Sequence, residues 1–339
     1  MKKKYLLNAF KFQLKAFENS ILKDHYNITF LSAKKKKLNF IDDYFLYRKW
    51  QRQGKLKDFD ILHINAWANF LNYKRVKGQV SVGESHGYHL GVNFERFLID
   101  EASFVKRNAS RVMELLLSKK INEKIQEFDL HYCSTADMEK PLREMVRSDV
   151  KWLPNPIDTS VFNLNGPKRK LKGDPAVFFP TRLHKDKRPE IGINIFREHI
   201  LKEFPDATLH FLHQPFNSEY DYWKKKLGDN KTYHWDLEYM PHKTLAEYFR
   251  GADLVMGAFS IGALALIELQ AMACGTPVIV NDLYELKTPI DKLGDLSVKL
   301  LGNKTFRDKW IKDKVNYVEN THSPNAVAKM HLKNLKKFV

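Results

Sequence analysis

The sequence predicts an α/β fold in two domains, each a parallel sheet covered by helices on both faces, and three observations carry the prediction. Short apolar runs alternate with longer amphipathic segments from one end of the chain to the other, the pattern of successive βαβ units. The chain has 339 residues, more than a single domain of roughly 100–200 residues holds, so two cores are expected. A polar stretch rich in Pro and Gly falls near the middle, where a linker would sit.

In the first half, strands are expected near Tyr5–Asn8, Asn27–Leu31, Asp60–Ile64, Gln79–Gly83, Leu130–Cys133 and Val150–Leu153, because β-branched and aromatic residues cluster there between turn formers. A long helical stretch is expected from about Glu95 to Gln126. Pro154-Asn155-Pro156-Ile157-Asp158, followed by Asn163–Asp174 with Gly166, Pro167, Gly173 and several Lys and Arg, marks the linker. In the second half Ala176–Phe179, Thr208–Leu212, Lys231–Trp235, Leu254–Met256 and Pro277–Val280 read as strands, and Pro324 to Val339 reads as a basic amphipathic helix. The domains expected are 1–160 and 161–322, with 323–339 as a C-terminal helix returning to the first domain. No 20–50-residue repeat and no heptad run is visible, which disfavours solenoids and coiled coils.

Hydrophobic residues make up 43% and charged residues 29%, with 23 Phe and 14 Tyr, a composition that excludes a disordered chain. Two cysteines, Cys133 and Cys274, stand far from any His or Cys at ligand spacing, so neither a disulfide framework nor a metal site is expected. The apolar run after Lys2–Lys4 is short for a leader, and no window is apolar enough to span a bilayer. A cytoplasmic protein, peripheral at the inner membrane face, is the expectation. The net charge is +17, and residues 1–80 hold 18 Lys/Arg against 6 Asp/Glu. That imbalance favours an anionic partner on the first domain: a membrane surface, a nucleic acid or an acidic glycan.

The segment Ala258-Phe-Ser-Ile-Gly-Ala-Leu-Ala-Leu-Ile-Glu-Leu-Gln-Ala-Met-Ala-Cys-Gly-Thr-Pro-Val-Ile-Val280 follows an apolar strand, turns at Ser260–Gly262, forms an Ala/Leu-rich helix and breaks at Gly275. Strand, tight loop and helix start together make a phosphate-binding geometry, since free N–H groups and the helix dipole face the carboxyl end of the strand. An ordinary buried βαβ unit has the same local pattern. A dinucleotide-dependent oxidoreductase is disfavoured, because no Gly-x-Gly-x-x-Gly follows the first strand of either domain.

Residues 258–280 resemble the signature of family 4 of the retaining glycosyltransferases, with Glu-Leu-Gln-Ala-Met-Ala-Cys-Gly-Thr-Pro-Val at 268–278 the closest stretch. The resemblance implies the GT-B fold, two Rossmann-like domains facing each other across a cleft. Phe179-Pro-Thr-Arg-Leu-His-Lys-Asp-Lys-Arg-Pro189 resembles the family's strand followed by an Arg and, five residues on, a Lys, which hold the donor diphosphate; here they are Arg182 and Lys187. A departing diphosphate needs positive charge where its own charge develops, so the residue types suit the role. Leu153-Pro-Asn-Pro-Ile-Asp158 with Phe162 is similar to the interdomain stretch, and Asp60-Ile-Leu-His63 to an acceptor-domain strand. Ser85-His86-Gly87 is similar to a loop in which the family places a His beside the donor sugar. His86 is therefore the catalytic-region candidate with Arg182 and Lys187, and His89 competes on the acceptor side. Tyr239 and Met240 stand where relatives contact the base, and Gly262, Ala263 and Leu264 where loop amides meet the diphosphate.

The chain departs from that pattern at three places. Where the family has two glutamates eight residues apart, this chain has Gly262 and Gln270. Ile261-Gly262-Ala263 resembles the Ile-Gly-Ala loop of an archaeal-type subgroup, which covers the first departure, but that subgroup continues with Glu-Leu-Glu where this chain has Glu268-Leu269-Gln270. Gln270 retains hydrogen bonding to a ribose without the charge, and Glu268 faces about 200° away from it on the helix. Where the family has a Gly-rich loop after the first strand, this chain has Asn8-Ala-Phe-Lys-Phe-Gln13, a bulky basic loop from which Lys11 is an acceptor-side candidate.

The function expected is sugar transfer from a nucleoside-diphosphate sugar with retention, no metal or other cofactor being called for. The expected acceptor is a lipid-linked or surface glycan, met by basic patches at Lys34–Lys37 and Arg48–Lys57 with Phe45, Tyr47 and Trp50 between them. A nucleic-acid acceptor carrying a modified base is one alternative, and a non-catalytic nucleotide-sugar or glycan binder is another. Sugar, base and oligomeric state are not written in the motifs.

Overall fold

A computed structural model describes residues 2–8, 11–31, 39–65, 73–85, 120, 121, 123–146, 149–213, 219–259 and 264–339. It builds two parallel sheets. The first runs β1 (Lys3–Asn8), β2 (Tyr26–Phe30), β3 (Ile61–Asn65), β4 (Val80–Ser85), β5 (Leu130–Cys133) and β6 (Asp149–Trp152), ordered β2-β1-β3-β4-β5-β6. The second runs β7 (Ala176–Phe179), β8 (Thr208–His213), β9 (Tyr233–Glu238), β10 (Leu254–Met256) and β11 (Val278–Ile279), ordered β11-β10-β7-β8-β9. Each is a doubly wound order with one reversal, between β1 and β3 and between β7 and β10. A crevice forms outside the carboxyl ends of the strands at such a reversal.

The chain divides into two compact units, residues 1–156 with 324–339, and residues 157–323. The stretch 163–174, read from sequence as linker, lies in the second unit. Arg250 donates to Asn163 O and Pro167 O, and Arg169 N donates to Glu247 O. Gly173 sits at φ 93°, and a Cβ there would come 2.2 Å from Thr208 Oγ1, so this apparent linker glycine is a packing residue.

The second unit's core is built on aromatic residues: Phe178, Phe179, Phe196, Phe211 and Phe249 are fully buried, with Trp235 stacked on Phe211. The helix Leu266–Ala273 is buried along most of its length, as expected of a helix apolar on nearly every side. In the first unit the helix Pro324–Leu335 packs Val327, Ala328 and Leu335 against Tyr5, Leu7 and Phe17. Asn325 accepts from Ile21 N, and Lys337 pairs with Asp149 at 3.0 Å.

The first unit's core also holds a polar chain. The Tyr5 hydroxyl bridges His63 Nδ1 at 2.7 Å and His331 Nε2 at 2.8 Å, and His331 Nδ1 meets the Tyr132 hydroxyl at 2.8 Å. His63 Nε2 lies 2.9 Å from Glu84 Oε2. Burial pushes the imidazoles of His131 and His331 down to about 3, against the opposing pull of Glu84. Below about pH 6.5 the unfolded chain binds these protons and the folded chain does not. Stability is therefore present at neutral pH and falls as pH drops, by about 1.4 kcal/mol per pH unit for each histidine, until about pH 3. Denaturant unfolding at pH 7, 6 and 5 measures the slope, and His331→Gln should remove one histidine's share of it.

Candidate functional site

The loops after β7 and β10 flank the reversal in the second sheet. β7 ends at Phe179 and leads through Pro180 and Thr181 to Arg182, so the strand's own length sets where that guanidinium begins. Thr181 is buried, and its Oγ1 has no hydrogen-bond partner among the described residues. His184 N donates to Arg182 O and Lys187 N to His184 O, folding the loop into a short turn that returns Lys187 toward the sheet. Arg182 and Lys187 are both half-buried. Phe259 N then donates to Lys187 O at 3.1 Å, tying the first loop to the segment that leaves β10.

Glu268 holds both ends of that second loop, a role the sequence pattern did not give it. Its carboxylate is wholly buried and accepts from Ala258 N at 2.8 Å and Ala265 N at 2.9 Å, closing residues 259–264 between two fixed amides. Burial raises its pKa, and the Ala258 hydrogen bond and the Lys187 charge pull it back. The available signal was Gly257: a Cβ there would stand 2.6 Å from Glu268 Cγ and Oε1, so only glycine lets the carboxylate reach under the strand end. One of the amides at this helix start, that of Ala265, is thus already occupied.

Of the other residues expected on the donor side, Tyr239 is 63% exposed beyond β9, whereas the side chains of Met240 and Leu264 pack into the hydrophobic core. Gln270 is 8% exposed on the helix Leu266–Ala273. His86, His89, Gly262, Ala263 and the Lys34–Lys37 run lie outside the described residues, as does nearly all of the helical stretch 95–126.

The reversal in the first sheet is lined by polar side chains. The segment after β1, read as a bulky loop, turns helical at Lys11 and continues to Glu18, so Lys11 opens a helix. The reason is tertiary: Gln13 is buried, donating to Glu84 Oε1 at 2.6 Å and accepting from Asn65 Nδ2 at 3.0 Å. These bonds join the ends of β3 and β4 to the first turn of the helix. The signal in the sequence was polar residues, His63, Asn65 and Glu84, inside otherwise apolar strands.

Residues 163–320 match the family model of glycosyl transferases group 1, just under half of the chain. No curated protein matches. Among solved structures the chain is similar to sucrose-phosphate synthase from Thermosynechococcus elongatus, at 13% identity over 99% of both chains with TM-score 0.69. It is also similar to α,α-trehalose 6-phosphate synthase from Burkholderia multivorans, at 8% identity over 99% of both chains with TM-score 0.62. A third likeness is to an α-glucosyltransferase in complex with UDP and a 13-mer DNA containing a HMU base, at 13% identity over 99% and 100% of the chains with TM-score 0.63. Two parallel-sheet units with these neighbours define the class: a two-domain α/β protein of the GT-B fold. The match to the glycosyl transferases group 1 model falls within the second unit.

Proposed function

We propose that the chain transfers a sugar, with retention of configuration, from a nucleoside-diphosphate sugar bound at the β7/β10 reversal to a hydroxyl of an anionic acceptor. The observation that carries this reading is the Phe259–Lys187 hydrogen bond, which draws the loop of Arg182 and Lys187 against the loop held by Glu268. In the reaction the bond from the anomeric carbon to the diphosphate oxygen breaks, and a bond to the acceptor oxygen forms. The acceptor's proton passes to the departing diphosphate. Arg182, Lys187 and the amides of Gly262 and Ala263 take up the charge that develops on the leaving group. The reading gives Tyr239 and the Met240 backbone the base, Gln270 the ribose and His86 a hydrogen bond to the sugar. It calls for no metal and no further cofactor.

The acceptor reading rests on the first unit's charge. A lipid-linked or surface glycan at the cytoplasmic membrane face fits Arg48–Lys57, where Phe45 is 59% exposed and Trp50 half-buried, although Tyr47 is a core residue. Among the described residues no helix is long and apolar enough to cross a membrane. The likeness to an α-glucosyltransferase in complex with a HMU-containing DNA favours a nucleic-acid acceptor as the second reading. Salt-sensitive binding to anionic vesicles with none to duplex DNA supports the first, and the reverse supports the second.

A thermal-shift screen against UDP, GDP, ADP and their sugar conjugates tests the donor. One nucleoside diphosphate should raise the melting temperature, with about 2.7 kcal/mol of added stability at a hundred times its Kd. No shift with any of them in folded protein rejects the donor site, and a shift without turnover or slow donor hydrolysis selects a non-catalytic binder.

A further inference from the structure

The first unit carries a second concave site, at the opposite end of its sheet from the polar cluster of Gln13 and Asn65. A cavity of about 720 Å³ is lined by Arg48, Arg52, Lys57, Lys74, Lys120 and Lys124, over an apolar floor that includes Leu62. Lys57 precedes β3, Lys74 precedes β4, and Lys120 and Lys124 precede β5, so the lining gathers at the amino-terminal side of the strands. The group-transfer chemistry proposed above uses the carboxyl ends.

The charge pattern is what needs an explanation. Arg48 and Arg52 are four apart on the helix Asn39–Arg52, and the helical residues Lys120 and Lys124 repeat that spacing. Like charges at this spacing repel on a helix, and here two such pairs open on one cavity. Among the described residues, the carboxylate paired with any of the six is that of Glu127, 2.7 Å from Lys124 Nζ. Arg48, Arg52, Lys57, Lys74 and Lys120 are exposed and have no acidic partner among the described residues. Gly54, in the left-handed region at φ 72°, makes the turn that brings Lys57 back beside Arg52. The volume lies within the roughly 300–1,000 Å³ of small-molecule sites.

We propose that this cavity binds an anion bearing two or more phosphate-type charges. The guanidinium forks of Arg48 and Arg52 suit bidentate contact with phosphoryl oxygens, and the lysines supply point charge around them. The ligand chemistry is shared by a free phosphorylated molecule and the headgroup of an anionic lipid. The proposal does not rest on the donor reading and survives its failure.

The test uses full-length protein carrying Arg182→Ala and Lys187→Ala, which removes the diphosphate cations of the other unit. Calorimetric titration with pyrophosphate should show binding in this host, and adding Arg52→Glu with Lys120→Glu should weaken it at least tenfold while leaving the melting temperature within a few degrees. Lys57→Gln with Lys74→Gln, which reverses no charge, should weaken it in the same direction if the first pair perturbs folding. Flotation with phosphatidylglycerol and phosphatidylcholine vesicles separates the sources. Binding to the anionic vesicles that pyrophosphate displaces assigns a lipid headgroup, and pyrophosphate binding without vesicle binding assigns a free ligand. No pyrophosphate binding in the host, or an affinity unchanged by the substitutions, overturns the proposal.

Discussion

Replacing Arg182 or Lys187 by alanine should lower kcat/KM for sugar transfer by roughly 10²–10³-fold, the range seen when one preorganised charge-stabilising group is removed. Both side chains are half-buried, so truncation opens little of the core, and the melting temperature should stay within a few degrees. The Lys187 charge also acts on the Glu268 carboxylate, so its loss leaves that buried group with less compensation. Lys187→Ala should therefore also cost some stability, measured by denaturant unfolding at pH 7. The drop should appear in kcat as well as in nucleotide affinity if the charge acts on the departing diphosphate. Near-native turnover in either variant would remove that residue from the diphosphate site.

Glu268→Ala should destabilise the protein by about 2–5 kcal/mol, because two buried backbone amides, Ala258 N and Ala265 N, lose their acceptor and a cavity opens in a packed helix face. Donor turnover should fall with it, since those two amides flank the segment that carries Gly262 and Ala263. Glu268→Gln separates the effects. Its amide keeps one acceptor oxygen and turns an N–H group toward a second donor, so one of the two bonds is lost and about 1–3 kcal/mol with it. Partial donor binding in Glu268→Gln with none in folded Glu268→Ala would assign Glu268 as a positioning residue. Unaltered donor binding in both would mean that the loop holds its shape without the carboxylate.

Most strands were legible in the sequence because their signal is local. Leu130–Cys133, Ala176–Phe179 and Leu254–Met256 are apolar runs bounded by turn formers, and the structure gives them the bounds read from sequence. β9 begins at Tyr233, two residues later than expected, since Asn230 Oδ1 accepts from Thr232 N and Tyr233 N and keeps Lys231–Thr232 in a turn. The motifs at 179–189 and 258–280 could be read for a similar reason, as each lies within one short segment. The role of Glu268 was not legible, because a helical wheel shows which way a residue points from its own axis, not what the neighbouring strand leaves open at Gly257.

By itself, then, the sequence determined the class, two α/β units of alternating period with a glycosyltransferase signature in the second, because periodicity and short motifs are properties of neighbours along the chain. Tertiary structure alone decided the order of the strands, and with it the two reversals where loops meet. It also decided that Tyr5 and His331, 326 residues apart, share a hydrogen bond, that Gln13 turns a presumed loop into a helix, and that six cations from separate segments converge on one cavity. Burial and charge compensation depend on every element that packs around a group, and no window of sequence contains those elements together.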